Sequence, residues 1–311
     1  MNNNYLTDIF YHIKPFIPRR LQIFLRRRHI NGKRLLCRDI WPVDEKAGKP
    51  PDEWSGWPDE KQFALVLTHD VDTEKGHDKC RYLMKIEQEL GFRSSFNFVP
   101  ERYDVSSELR HYLATNGFEV GVHDLNHDGK LYKSEKIFKD RAIRINHYLK
   151  EWNCAGFRSG SMHHNLDWIG ELNIEYDAST FDTDPFEPQS DGVGTIFPFW
   201  VSNDSTQKRY IELPYTLPQD FTLFVLMKEK TIDTWKHKLD WIAKHGGMAL
   251  LTTHPDYMNF NGAKSENGEY SSEFYKEFLE HLKSKYEGQY WHVLPMEMAR
   301  FWTGNVLNKS K

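Results

Sequence analysis

Cysteine is scarce in this chain: Cys37, Cys80 and Cys154 are the only three among 311 residues. An odd number without paired spacing excludes a disulfide framework and suits free thiols in a reducing compartment. Long apolar runs are missing too. No stretch reaches the ~18 residues of a membrane span, and the short run at 21–25, broken by Gln22, is too brief for the core of an export signal. Together these absences predict a cytoplasmic protein. Acidic residues are missing from one region only. Residues 1–38 hold nine Lys or Arg against Asp8 alone, a local net of +8 that leaves −12 on the rest of a chain whose formal total is −4. A body that acidic is not expected to take a nucleic-acid partner.

What is present begins with an amphipathic start. Leu6, Ile9, Phe10, Ile13 and Ile17 recur at helical spacing, followed by Pro15, Pro18 and the triplet Arg26, Arg27, Arg28. Two readings stay open: a basic helix docked on the acidic body, or peripheral contact of residues 1–38 with an anionic membrane. Residues 33–60 are rich in Pro and Trp and lack a period, so they read as a connection wrapping into the main domain. The expected organisation is an N-terminal extension over 1–60, one large domain over 61–305 and a short tail over 306–311.

From residue 63 onward, short β-rich runs alternate with helical patterns, the signature of successive βα units and a mainly parallel sheet. Strands are predicted at 63–67, 94–99, 118–122, 155–157, 174–176, 210–213, 248–252 and 290–293, seven or eight units. Helices are predicted at 78–90, 106–116, 134–152, 231–245 and 271–286, with Gly91, Gly117, Gly246 and Gly288 placed as stops. In the third of these helices Phe138, Ala142, Ile145, Leu149 and Trp152 form one stripe, read as core. A long irregular insertion is expected over 180–208, after the fifth strand.

Reactive side chains gather after the C-terminal ends of these strands: Asp70, Asp72, His123, His127, Arg158, Asp177 and His254. Barrels and open α/β sheets build their sites at that edge. His123 and His127 stand four residues apart, a spacing that sets two imidazoles on one side of a metal, and Asp72 supplies an oxygen ligand. Two neutral imidazoles and a carboxylate suit a catalytic divalent ion, Zn²⁺ first and Mn²⁺, Fe²⁺ or Co²⁺ after it, with positions left for water and substrate. Asp70 is then the candidate base for a water proton. Arg158 can pair with Asp70 and keep it ionised, or form a structural ion pair at a strand end. Ser161 or a neighbour can turn a backbone N–H toward a developing oxyanion. His254 occupies a general acid's position, with Asp177 as the candidate partner for its ring nitrogen; the alternative is that His254-Pro255 only shapes a turn.

Five segments carry a family resemblance: Thr68-His69-Asp70-Val71-Asp72, His123 to His127, Arg158-Ser159-Gly160-Ser161, Asp177 to Phe181, and Leu251 to His254. In that order they resemble the five motifs of the polysaccharide deacetylases of the NodB-homology type, carbohydrate esterase family 4. The resemblance implies a distorted (β/α) barrel, a divalent metal on Asp72, His123 and His127, and Asp70 and His254 as base and acid. Four departures stand out. Val71 separates the two aspartates, the third motif lacks Pro and Tyr, Phe181 replaces a Trp, and Leu251 lies one residue farther from its His.

The function expected from residues and resemblance together is hydrolysis of an N-acyl, foremost N-acetyl, group on an amino sugar or glycan during synthesis of surface polysaccharide or lipopolysaccharide. Two rivals remain: a hydrolase of a small non-sugar amide or ureide, and a non-catalytic, membrane-docked carbohydrate-binding scaffold. Tyr257, Phe199 and Trp200 are candidates for stacking on a sugar ring.

Overall fold

Eleven strands and eight helices follow one another in the computed structural model, which describes residues 18–52, 54–189, 191–203, 208–260, 262 and 268–307. The apolar positions Leu6, Ile9, Phe10, Ile13 and Ile17, and residues 308–311 of the tail, lie outside the described residues. The strands are β1 (Phe63–Val71), β2 (Ser95–Phe98), β3 (Glu119–His123), β4 (Gly156–Arg158), β5 (Tyr176–Asp177), β6 (Phe199–Asn203), β7 (Lys208–Glu212), β8 (Met248–Thr253), β9 (Met258–Asn259), β10 (Tyr270–Ser271) and β11 (Tyr290–His292). The helices are α1 (Arg19–Leu36), α2 (Glu74–Leu90), α3 (Ser107–Thr115), α4 (Glu135–Glu151), α5 (Leu166–Ile169), α6 (Asp233–His245), α7 (Glu273–Tyr286) and α8 (Pro295–Leu307).

The sheet is organised around β1, which is buried at all nine positions. A parallel strand covered on both faces needs such a run. One edge of β1 pairs with β8 over Ala64 to His69. The other edge is shared, β11 taking Phe63 to Leu65 and β2 taking Thr68 to Val71. From β2 the sheet continues through β3, β4, β5 and β7, all parallel, and ends on β6. The curl closes back on β8 through a broken strand. The N–H groups of Thr216 and Leu217 both donate to the Leu250 carbonyl at 3.1 Å, and Leu217 bridges Leu251 in parallel. The result is the expected α/β fold, a distorted (β/α) barrel. Its parallel strands point their C-terminal ends at one rim, and β6 alone in this sheet runs the other way.

Helix ends follow local chemistry. Gly91 and Gly246 close α2 and α6 in the left-handed region at φ 79° and 69°, where a side chain would be strained. Ser106 and Ser134 accept N–H bonds at the starts of α3 and α4. The stripe Phe138, Ala142, Ile145 and Leu149 of α4 is buried as expected, in a second apolar cluster on the outer side of β3 and β4, with Trp152 packed half-buried against it.

Two expectations change. The insertion over 180–208 is not wholly irregular, because Phe199, Trp200 and Val201 pair antiparallel with Glu212, Ile211 and Tyr210 as a hairpin. Aromatic and β-branched residues suit such a pleated edge. The fifth strand is shorter and later than 174–176, forming at Tyr176–Asp177.

The Pro/Trp-rich connection does wrap the body. The Trp57 indole donates to the Gly246 carbonyl at 2.7 Å, and Trp54 stacks on Trp302 at 4.9 Å. These contacts seal the pole where β1 and β8 begin, opposite the reactive rim. Helix α1 rests on the body by Ile23 and Ile30, by Arg27 Nε donating to Val225 O at 2.9 Å, and by an Arg34–Glu229 ion pair at 2.6 Å. Among the described residues, one face of α1 thus packs on the body.

Close packing makes one glycine indispensable. A Cβ on Gly156 would lie 1.9 Å from Tyr176 Cζ, and Tyr176 is anchored by its O–H donating to buried Glu119 at 2.7 Å. Gly156→Ala is therefore expected to cost ~1–3 kcal/mol in urea unfolding. Gly32, mid-helix with nothing within 4 Å of its Cβ position, should gain ~0.5–1 kcal/mol on change to Ala.

Candidate active site

At the reactive rim, Asp72 follows the end of β1, His123 is the last residue of β3, and His127 sits four residues on with a left-handed φ of 50°. The three offer ligand atoms that all lie within 4.8 Å of one another. His123 Nε2 is 3.4 Å and His127 Nε2 3.3 Å from the same oxygen, Asp72 Oδ1. That oxygen is buried and has no hydrogen-bond partner among the described residues. Tetrahedral bonds of ~2.0–2.1 Å place neighbouring ligand atoms ~3.3–3.4 Å apart. The spacing and the orphaned oxygen both fit a divalent cation.

The surroundings prepare these groups for that role. His123 Nδ1 donates to the Arg158 carbonyl at 3.1 Å, which turns Nε2 toward Asp72. Burial lowers the pKa of His127 below its ordinary value, favouring the neutral, ligating form. The other Asp72 oxygen accepts the Tyr257 hydroxyl at 3.2 Å, and the Asp72 N–H donates to Asp256 at 2.9 Å. A glycine makes the approach possible: a Cβ on Gly160 would meet Asp124 Oδ2 at 2.6 Å and the His127 ring at 3.0 Å.

Asp70 lies on β1 two residues before Asp72. Its Oδ1 accepts Asn97 Nδ2 at 3.0 Å and faces Arg158 Nε at 3.6 Å. Burial pushes this carboxyl up, yet the charges of Arg158, His123 and His254 and the bond from Asn97 outweigh it, so Asp70 stays below its ordinary pKa and ionised. Asn97 reaches it because residue 121 is a glycine, whose Cβ would stand 2.1 Å from Asn97 Oδ1. Arg158 is buried and also donates through Nη1 to Thr252 on β8.

His254, just past β8, is brought to the same rim. Its ring lies 5.3 Å from that of Tyr257, the residue bonded to Asp72. Its ring nitrogen is not held by Asp177. Nδ1 donates to Asp220 Oδ1 at 2.7 Å, and the His254 backbone N–H donates to Asp220 Oδ2 at 2.8 Å. Tyr270 adds a third bond to Asp220 at 2.8 Å. Burial alone would lower the imidazole's pKa, but Asp220, with Asp72 and Asp70, raises it to about 10. Asp177 fails as the partner because β5 pairs with β4 and β7, away from β8, and its carboxylate is engaged by Ser179 Oγ at 2.7 Å and by Glu212. Burial raises its pKa. Asp220 went unnoticed in the sequence because it precedes the apolar run Phe221–Leu226, where it caps a π-helical turn by accepting the Phe221 N–H.

Of the aromatic candidates, Tyr257 stands in the site. Phe199 and Trp200 lie on the edge strand β6, Trp200 beneath Arg209 at 4.3 Å. Ser161 adopts a left-handed φ of 57° inside the turn after β4. The rim thus assembles an ionised carboxylate, a protonated imidazole and a three-ligand cluster at one edge of the sheet, the parts that metal-assisted hydrolysis requires.

No family model and no curated protein matches the sequence. Among solved structures the chain is similar to a candidate polysaccharide deacetylase from Mycobacterium smegmatis, with a TM-score of 0.63 and 18% identity over 83% of this chain and 96% of that one. It is equally similar to Puue allantoinase, with a TM-score of 0.63 and 16% identity over 85% and 98%. A probable polysaccharide deacetylase from Pseudomonas aeruginosa PAO1 follows at 0.61 and 15% identity over 84% and 98%. At these identities the likeness is one of fold, and it spans nearly the whole of each relative.

Two outcomes test the site. His127→Ala should lower bound divalent metal by at least ~10-fold, read by elemental analysis after dialysis; full occupancy would remove this ligand from the cluster. Asp220→Asn should move the alkaline limb of the kcat/KM profile to lower pH, since removing the carboxylate charge lowers the pH at which His254 loses its proton. An unmoved limb would detach Asp220 from that proton.

Proposed function

We propose that this chain is a metal-dependent hydrolase that removes a short acyl group, acetyl foremost, from the nitrogen of an amino sugar during assembly of a surface polysaccharide or lipopolysaccharide. The observation that carries the reading is the pairing of two oppositely prepared proton-transfer groups, Asp70 and His254, around the Asp72, His123 and His127 cluster. The fold likeness to two proteins named as polysaccharide deacetylases supports it.

Asp72, His123 and His127 would hold a divalent metal, with Zn²⁺ the best match to the donor set, and when bound it would supply Lewis acidity toward the amide carbonyl and the attacking water. The chain's own residues handle the protons. Asp70, kept ionised by Arg158 and Asn97, accepts the proton of the water. His254, kept protonated by Asp220, donates to the departing nitrogen as the C–N bond breaks. An amine leaves poorly without that proton, so a retained imidazolium suits an amide better than an ester. Arg158 acts through Asp70 and is a positioning residue. Asp177, paired with Glu212 away from His254, is left out of the proton path.

A second reading is hydrolysis of a small non-sugar amide or ureide, and the observation favouring it is the equal TM-score to the protein named an allantoinase. Chemistry at the scissile bond is shared, so only the substrate separates the two. Metal-loaded enzyme incubated with N-acetylated sugars, sugar nucleotides, glycans and ureides, with acetate and free amine assayed, should release acetate with amine from the sugar set. Ureide turnover without acetate would install the second reading.

Asp70→Asn and His254→Ala should each retain the metal and lose ~10²–10⁴ in turnover, because proton transfer is worth about that much. Metal loss in Asp70→Asn with retention in Asp72→Asn would exchange the roles of the two aspartates.

A further inference from the structure

Helix α1 has two faces, and only one is used. Ile23, Arg27, Ile30 and Arg34 dock on the body, with Arg26 lying over the Phe221 ring at 4.9 Å. On the opposite side Leu21, Phe24, Leu25, Leu35 and Leu36 fall at i, i+3, i+4, i+14 and i+15, one side of a 3.6-residue helix with an apolar group near each end and Arg28 and Gly32 between them. All five are exposed, Phe24 at 56%, Leu35 at 62% and Leu36 at 86%, and exposed Ile40 extends the line past the helix end. Six of the nine exposed large apolar side chains among the described residues therefore lie within 21–40. Isolated exposed leucines need no explanation; an aligned patch does.

Charge identifies what covers it. The helix carries seven Lys or Arg and no acid, and Arg20, Arg28 and Arg38 are exposed in or beside the apolar stripe. A second copy of the chain brought face to face would juxtapose two such cationic surfaces. Residues 1–17, with Lys14 and Asp8 as their side-chain charges, bring no neutralising charge. An anionic lipid surface accepts both features at once, apolar side chains at the acyl boundary and guanidinium groups among the phosphates. No helix among the described residues is long and apolar enough to cross a membrane, so the contact lies in the plane of the interface.

We propose that the outward stripe of α1 seats this protein on an anionic bilayer, with the catalytic rim held beside the lipid. The link from helix to rim is short. Arg26 covers Phe221, Phe221 packs on Tyr257 at 4.7 Å, and the Tyr257 hydroxyl reaches Asp72. A substrate carried by the same membrane would meet the rim without leaving the surface. The seating stands on the helix alone and is independent of the reaction assigned to the rim.

The test is vesicle flotation of the full chain, with phosphatidylglycerol–phosphatidylcholine vesicles against phosphatidylcholine alone. The expected result is flotation with the anionic vesicles only, weakened by added salt as screening requires. The double substitution Leu35→Glu with Leu36→Glu should cut vesicle binding by at least ~10-fold, since it replaces lipid-facing apolar groups with anions. Its circular dichroism and Tm should match the parent, because neither side chain is in the core. Absence of binding to anionic vesicles would overturn the proposal, as would equal binding by the double variant. Loss of a parent dimer in the variant without any vesicle binding would assign the stripe to a second copy instead.

Discussion

A guanidinium with almost no exposure sits beneath the reactive rim, and much of the site follows from having to accommodate it. Arg158 Nε and Nη2 have no hydrogen-bond partner among the described residues, and the anion it faces is Asp70 at 3.6 Å. A buried cation stripped of its counter-charge costs several kcal/mol, so Asp70 is held ionised by the fold itself. That is the state a proton acceptor needs. The same residue reaches further through its main chain: its carbonyl takes the Asp124 N–H at 2.7 Å and the His123 ring N–H. One side chain and its peptide thus join the candidate acceptor, a candidate ligand and the neighbouring strands, and disturbing any of these would be felt by the others.

The opposite charge balance governs His254. Its cation is supported by a carboxylate that is fully buried and triply hydrogen-bonded from His254 and Tyr270, with a further bond from the Phe221 N–H. Asp220 arrives on the segment that closes the barrel in place of a regular strand, directly after the bridge of Leu217 to Leu251. Geometry at the seam therefore sets the orientation of His254, the candidate proton donor. A change in how the chain crosses from β7 to β8 would alter chemistry without touching the ligands.

How much of this could be read in the sequence depended on whether a residue's role followed from its place on a strand. Asp70, Asp72, His123, Arg158 and His254 all lie at or just past strand ends, and the alternation of β-rich and helical runs located those ends closely enough to bring the residues together. His127 came with His123 through its spacing. Asp177 satisfied the same rule and was nevertheless misassigned, because strand-end position does not say which neighbour a carboxylate turns to; across the sheet it meets Glu212. Asp220 obeyed no strand rule, as its segment pairs only through an isolated bridge. Asn97 was equally silent, since its reach to Asp70 depends on the missing side chain of Gly121 on the adjacent strand. Side-chain partners across a barrel are set by register and tertiary closure, which local periodicity does not encode.

The placement of β1 also bears on how the chain is made. Its apolar residues leave the ribosome well before their partners, for Thr68 and the Thr252 it bonds are 184 residues apart in sequence. Translation at ~5–20 residues per second leaves that edge without its partner for ~10–40 s. During this interval a sticky, β-prone segment stands open to pairing with other nascent chains. The length of the wait, set by topology alone, makes yield in a heterologous host a matter of synthesis rate and chaperone supply as much as of final stability.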